Sequence, residues 1–218
     1  MFKSHVLGTL SVLFLAAPPA SAAIVNAIQN GTFESGYTGF TTEYTYGLLS
    51  CCAQRAIVAP HINSAFSNNS NQGTRGGDHT TGTGLALFVN GSTENTKAFW
   101  KQTVSTVANT EYTFGAWGAL WFGGAVSTGL RINGTMVGSY VISGALDVWS
   151  YDSLTWNSGT ATTATLELVN LSTAFSGNDF AVDDLSFTGQ ISEVPLPAGL
   201  PLLAAGLGSL GLLRRKRG

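Results

Sequence analysis

Five tryptophans (Trp100, Trp117, Trp121, Trp149 and Trp156) are the side chains of this 218-residue chain best suited to chemistry, together with a scatter of carboxylates among many Asn. The C–H faces of a sugar ring stack on indole, and its hydroxyls need Asn, Asp, Gln or Glu. Trp117 and Trp121 stand four apart in a run that reads as a strand, so they share a face about 13 Å apart, a spacing for two sugar subsites. The competing reading is that a sandwich buries its Trp in the core or beneath a loop. Catalysis has thinner material. Beyond the N-terminal end only His61 and His79 remain. Asp78 and His79 are neighbours whose side chains diverge on an extended chain, so the His79 ring is expected to bond nearby backbone. No Gly-x-Ser-x-Gly elbow and no His-Glu-x-x-His helix occurs. Twelve acids offer many glycosidase-like pairs, and spacing in sequence selects none of them. No catalytic residue is assigned.

The composition, 10 Lys plus Arg, 12 Asp plus Glu, 27 Gly and 44% apolar residues, excludes a disordered polymer. Lys3 and the cluster Arg214, Arg215, Lys216 and Arg217 lie at the two ends, which leaves five basic residues in the body against all twelve acids, a net −7. Such a surface repels polyphosphate, so no nucleic-acid partner is expected. After Lys3 comes an uncharged run over 6–17, then Pro18-Pro19 and the small residues Ala20-Ser21-Ala22. This is a secretory signal peptide over 1–22, cut by signal peptidase after Ala22. Its roughly 12 helical residues span about 18 Å, too short for a permanent anchor.

The other end, 190–218, carries Val194-Pro195-Leu196-Pro197-Ala198, an uncharged stretch, and the basic cluster. A marginal transmembrane helix is expected at about 198–213, with its positive stop on the cytoplasmic side and the domain outside the inner membrane. This order resembles the PEP-CTERM class of bacterial sorting signals in its VPLPA variant. The resemblance implies recognition by an exosortase-type transpeptidase, a cut near Pro195, and passage from transient membrane anchorage to the cell surface or exterior. It also implies an organism that exports an exopolysaccharide.

Between the ends no stretch keeps helical spacing for three turns, while short alternating and β-branched runs recur between Gly, Asn, Ser and Thr clusters. The body, 24–189, is therefore all-β. Strands are expected at 39–46, 85–89, 98–107, 111–122, 129–132, 137–142, 151–156, 165–170 and 180–187, enough for a sandwich or barrel. Asn133-Gly134 predicts a two-residue hairpin in which Leu130 and Ile132 pair across to Val137 and Val141. Within 111–122 the parity of Tyr112, Phe114, Ala116, Gly118, Leu120 and Phe122 is expected to face the core; Leu166 and Leu168 likewise share a side.

Three phrases carry a second resemblance: Asn30-Gly31-Thr32-Phe33-Glu34, Gly77-Asp78-His79-Thr80-Thr81-Gly82-Thr83-Gly84 followed by an apolar strand to Asn90-Gly91, and Asn178-Asp179-Phe180-Ala181-Val182-Asp183-Asp184-Leu185. In order and spacing they resemble the galactose-binding-like jelly-roll β-sandwiches of bacterial carbohydrate-binding modules. The resemblance implies adjacent first and last strands and a structural Ca²⁺ held by Glu34, Asp183 and loop carbonyls, with Asp78 as a third candidate. All-oxygen donors flanked by Gly-rich backbone suit that ion. The other reading makes Asp183 and Asp184 strand-edge residues and Glu34 a turn cap.

Cys51 and Cys52 are adjacent, and a vicinal disulfide, disulfides to a second chain and free thiols all stay open. The expected function is that of an exported envelope or extracellular-matrix protein, non-catalytic, binding exopolysaccharide. A structural matrix or adhesion protein without a sugar site is the second reading, and a glycan-active hydrolase the third.

Overall fold

The period-2 runs fold as strands in a computed structural model that describes residues 23–49, 53–66 and 76–191. Ile24–Ile191 is one compact unit; a second, 1–23 with 192–218, lies outside the described residues apart from Ala23. The expected signal peptide, the expected sorting segment from 192 onward and Cys51-Cys52 therefore fall outside them, and among the described residues no helix is long and apolar enough to cross a membrane.

In chain order the elements are β1 (Ala23–Asn26), β2 (Thr45–Tyr46), β3 (Arg55–Ala59), α1 (Ile62–Ala65), β4 (Ala86–Asn90), β5 (Ala98–Ser105), β6 (Glu111–Gly123), β7 (Val126–Ile132), β8 (Thr135–Ile142), β9 (Ser150–Asn157), β10 (Thr163–Asn170) and β11 (Asn178–Ile191). One sheet runs β2-β3-β4-β11-β6-β9, with β1 also pairing β11; the other runs β5-β10-β7-β8. The chain is a two-sheet β-sandwich, and its first and last strands are adjacent, as the resemblance implied.

Between the sheets lie Phe99, Trp100, Phe114, Leu130, Leu166, Leu168, Phe180 and Phe187, all buried. Each such side chain stabilises by roughly 1.5–3 kcal/mol. Tyr112, Phe114, Ala116 and Leu120 face this core as their alternation required. A second, smaller cluster (Leu49, Ile62, Ala65, Phe88 and Trp121) sits on the opposite face of the larger sheet, beneath the segment that contains α1. That segment covers one part of the outer face and leaves the Trp117 part open.

Several expectations fail for local reasons. The strand over 39–46 shrinks to β2 and a single bridge from Thr41 to Lys101, because Gly36 and Gly39 turn the chain at positive φ. β1, β3 and α1 were not among the expected elements; β1 and α1 are four residues each, too short to show a period, whereas β3 is as long as the expected β4. The Asn133-Gly134 hairpin forms, but a bulge after Leu130 moves its register: Leu130 faces Gly138, Ile132 faces Thr135 and Val141 faces Ser127. Phe122, expected in the core, is 44% exposed. The cause is a register shift in the β6/β11 ladder, where Leu120 faces Phe180 but Phe122 faces Asp179, so that Trp121 is left over and parity inverts.

The Asn90-Gly91 and Asn178 phrases prove to be one clasp. Asn178 Nδ2 donates to Ser92 O (3.1 Å) and Ser172 O (2.7 Å), and Asn170 Nδ2 donates to the same two carbonyls. Gly91 lies so close that a Cβ would strike Asn178. Asn178→Ala removes two bonds from a buried polar cluster and should cost about 2 kcal/mol in urea unfolding. A loss under about 0.5 kcal/mol would show that Asn170 alone satisfies both carbonyls.

On the outer face of the four-stranded sheet Lys101, Glu167 and Arg131 form a row in register across β5, β10 and β7, with Lys101 Nζ 2.7 Å and Arg131 Nε 3.2 Å from the Glu167 carboxylate.

Candidate functional site

The functional candidates gather on the outer face of the larger sheet around a bulge in β11. Asp183 faces Trp117 and Ser186 faces Gly115, so β11 fits two residues where β6 has one, and Asp184 takes a positive φ of 47°. Asn and Asp tolerate that region better than other L-residues. The bulge reaches sideways to the opening turn, where Leu185 N donates to Gly31 O (2.9 Å). Asn30 builds this turn by donating from Nδ2 to Gly36 O and Thr38 O and accepting from Ser35 N. Phe33 is thereby driven into the core and Glu34 kept outside.

The Gly-rich loop before β4 closes over the bulge. Asp78 accepts from Thr81 N (2.7 Å), the Thr81 hydroxyl (2.9 Å) and Gly84 N (2.6 Å). Burial acts to raise its pKa, but these donors hold the carboxyl below its usual value. Asp183, fully buried, accepts from His79 N and Asp184 N, both at 2.8 Å. Desolvation, with the Asp184 and Asp78 charges, pushes it up to about 7 against those two bonds. Glu34 accepts from Leu85 N (2.8 Å), and a Cβ on Gly84 would meet both the Glu34 and Asp78 carboxylates. The loop thus brings Glu34 and Asp78 together, with Asp183 beneath His79. Among the described residues no three His, Cys, Asp or Glu side chains converge as a ready cation site, so an ion here would draw on oxygens beyond the carboxylates.

His79 departs from expectation. Its ring bonds a side chain, Nδ1 donating to Asp184 Oδ2 at 2.6 Å, while the Thr80 hydroxyl donates to the same carboxylate. The ring also stacks on Trp117, with centroids 3.7 Å apart and planes 16° apart. Tyr151 lies against Trp117 at 5.4 Å and Trp149 lies edge-on to His79 at 5.9 Å.

The Trp117/Trp121 pair is therefore not a two-subsite platform. Trp121 is 4% exposed, donates its indole N–H to Phe180 O (3.0 Å) and packs on Phe66. Alternation puts it on the outer face with Trp117, as expected, but the α1 segment covers that part of the face. Trp117 is on the open part of the face, but His79 stacks on its ring. Beside Trp117, the open aromatic surface is that of Tyr151, 49% exposed on β9. Its ring reaches over Gly115, where a Cβ would collide with the Tyr151 hydroxyl and come within 2.8 Å of Ser186 Oγ. Beyond Ser186 a cavity of about 420 Å³ opens between the opening turn and β11, lined by Asn26, Asn30, Thr32, Asp184 and Ser186 among others. Sequence reasoning missed Tyr151, Ser186 and Asp184. The one available signal was Gly115 inside an aromatic strand, where a missing side chain marks close approach.

The chain matches no known protein family and no curated protein. Among solved structures it is similar to a cyclase from Fischerella sp. TAU, with 15% identity, a TM-score of 0.50, and coverage of 79% of this chain and all of that one. The CBM22-1 xylan-binding domain from Paenibacillus barcinonensis matches at 12% identity and TM-score 0.45, over 81% of this chain and all of that domain. A family 16 carbohydrate-binding module matches at 20% identity and TM-score 0.42, over 74% of this chain and 99% of the module. At these identities the likeness concerns the fold alone, and one fold hosts binding modules and enzymes alike.

Proposed function

We propose that this is an exported bacterial envelope or extracellular-matrix protein whose sandwich binds carbohydrate without turning it over. One observation carries the reading: a half-exposed Tyr151 over the bare backbone of Gly115, next to Ser186 and a cleft of Asn, Thr and Asp groups. An aromatic shelf with hydroxyl and amide partners is what a sugar ring requires. Tyr151→Ala should weaken glycan retention in an affinity gel by at least about tenfold, the loss of one stacked ring. Its melting temperature should stay close to that of the parent, since the ring is outside the core. Undiminished retention would remove Tyr151 from the site.

The same reading places Ca²⁺ at Glu34 and Asp183, with Asp78 contributing. Their donor set is all oxygen and Asp183 feels the charges of Asp184 and Asp78; since no three carboxylates converge among the described residues, loop carbonyls would have to complete the shell. Bound there, the ion supplies structural cross-linking between the opening turn, the Gly-rich loop and β11. The leader and the Val194-Pro195-Leu196-Pro197 segment support export across the inner membrane and processing by signal peptidase and an exosortase-type transpeptidase. Mass spectrometry of the secreted protein should find a C-terminus near Pro195. Mature protein that keeps Arg214 to Arg217 would overturn the processing step.

A second reading, a matrix or adhesion protein without a sugar site, is favoured by Trp117 and Trp121, since His79 and the α1 segment already cover them. A glycan array separates the two.

A further inference from the structure

The Tyr151 shelf and the cleft beyond Ser186 lie along one line across the strands. Tyr151 is on β9, Gly115 on β6, Ser186 on β11, and Asn26 ends β1. In register, Ser153 faces Gly115 and Gly115 faces Ser186; the Tyr151 ring lies over Gly115, and its hydroxyl and Ser186 Oγ both approach the place of a Gly115 Cβ, so the line runs from the ring directly onto Ser186. Ala27 N donates to Phe187 O (2.9 Å) and Phe187 N to Asn26 Oδ1 (2.9 Å), which carries the line on to β1 and the opening turn. Four neighbouring strands span about 14 Å at the usual spacing, close to three sugar rings end to end.

Asp184 is the ionisable side chain lining the cleft. Of the basic residues described, Lys101 and Arg131 are committed to Glu167 on the other sheet, Lys97 pairs with Glu94, and Arg55 donates to Leu48 O. Among the described residues no Lys or Arg stands beside Asp184 to receive a uronate or sulfate, and His79 Nδ1 is already bonded to the Asp184 carboxylate, so such a group would meet a like charge.

From these two observations we infer that the groove takes an internal run of about three sugars of an uncharged polysaccharide, laid across the strands from Tyr151 over Ser186 to the Asn30 turn. This rests on the carbohydrate-binding reading and adds the ligand's charge class and footprint. The line ends at a sheet edge beside β9, so the chain can continue beyond the protein there.

The test is an array of neutral, uronate-bearing and sulfated oligosaccharides, from single sugars to octamers, probed with the purified full-length chain. Affinities of the hits then follow by calorimetry. Neutral hits whose affinity rises about tenfold per added ring and levels off near the trimer support the inference. Hits confined to uronate or sulfated glycans would overturn the charge class and leave sugar binding standing. Affinity already complete at the monosaccharide would overturn the footprint. An empty array would sink the carbohydrate reading itself. Ser186→Leu fills the middle of the line and should reduce a trimer to the affinity of a single sugar at unchanged melting temperature. An unaltered length dependence in that variant would show that the chain takes another route.

Discussion

Gly31→Ala should cost at least about 3 kcal/mol of unfolding free energy, read by urea denaturation, and should lower the yield of folded protein. A Cβ at Gly31 would fall on the Leu185 carbonyl oxygen and within 3.2 Å of Ile28. The obstruction is backbone, held in place because Leu185 N donates to Gly31 O at the β11 bulge. Neither partner can swing away as a side chain could. Relief would require parting the opening turn from β11, which would pull Phe33 out of the core and displace Glu34. Gly36→Ala, by contrast, meets nothing within 4 Å, and its cost is that of a positive φ alone, about 1 kcal/mol. Equal losses for the two variants would show that the turn and the bulge are not locked together.

Stability of the domain in EDTA should fall by roughly 4 kcal/mol between pH 4 and pH 7. Asp183 titrates at about 7 in the fold, whereas an unfolded Asp titrates near 3.9. Between those values the folded chain holds a proton that the unfolded chain has released. The contribution is therefore complete below about pH 4 and is lost as pH rises through about 7. Asp179, raised by burial to about 6, acts in the same direction. Asp78, held below its usual value, acts in the opposite one and only in stronger acid. Ca²⁺ favours ionised carboxylates, so saturating Ca²⁺ should flatten the slope and raise the melting temperature at pH 7. Asp183→Asn should flatten it without metal, although one of the two backbone N–H donors then loses its acceptor. Identical pH profiles with Ca²⁺ and with EDTA would remove the ion from this site. A profile that climbs from pH 4 to pH 7 in EDTA would show that Asp183 is not destabilised by burial.

The candidate site was legible in parts. The three phrases around Glu34, Asp78 and Asp183 were visible because turns and bulges demand particular residues: Asn30 for a hydrogen-bonded turn, Gly31 for close approach, Gly84 to admit two carboxylates. The partnership of His79 with Asp184 was not visible, since it joins residues 105 apart through a loop closing on a bulge. The Trp pair misled for a related reason. Alternation put both rings on the outer face, where they are, but the α1 segment covers Trp121 and His79 covers Trp117; counting by twos failed only at Phe122, which the shift in the β6/β11 pairing sends into solvent.

Alternation and turn chemistry are local properties, so the sequence by itself determined an all-β body of sandwich or barrel type, which residues of β6 up to Leu120 and of β10 face the core, and a net negative charge. Only the tertiary structure decided that Tyr151 is exposed beside a covered Trp117, which acids share a loop, and that the Tyr151 ring leads across Gly115 onto Ser186. Those are relations between strands, fixed by register, and a single extra residue in a strand resets register without leaving a mark in the pattern of side chains along the chain.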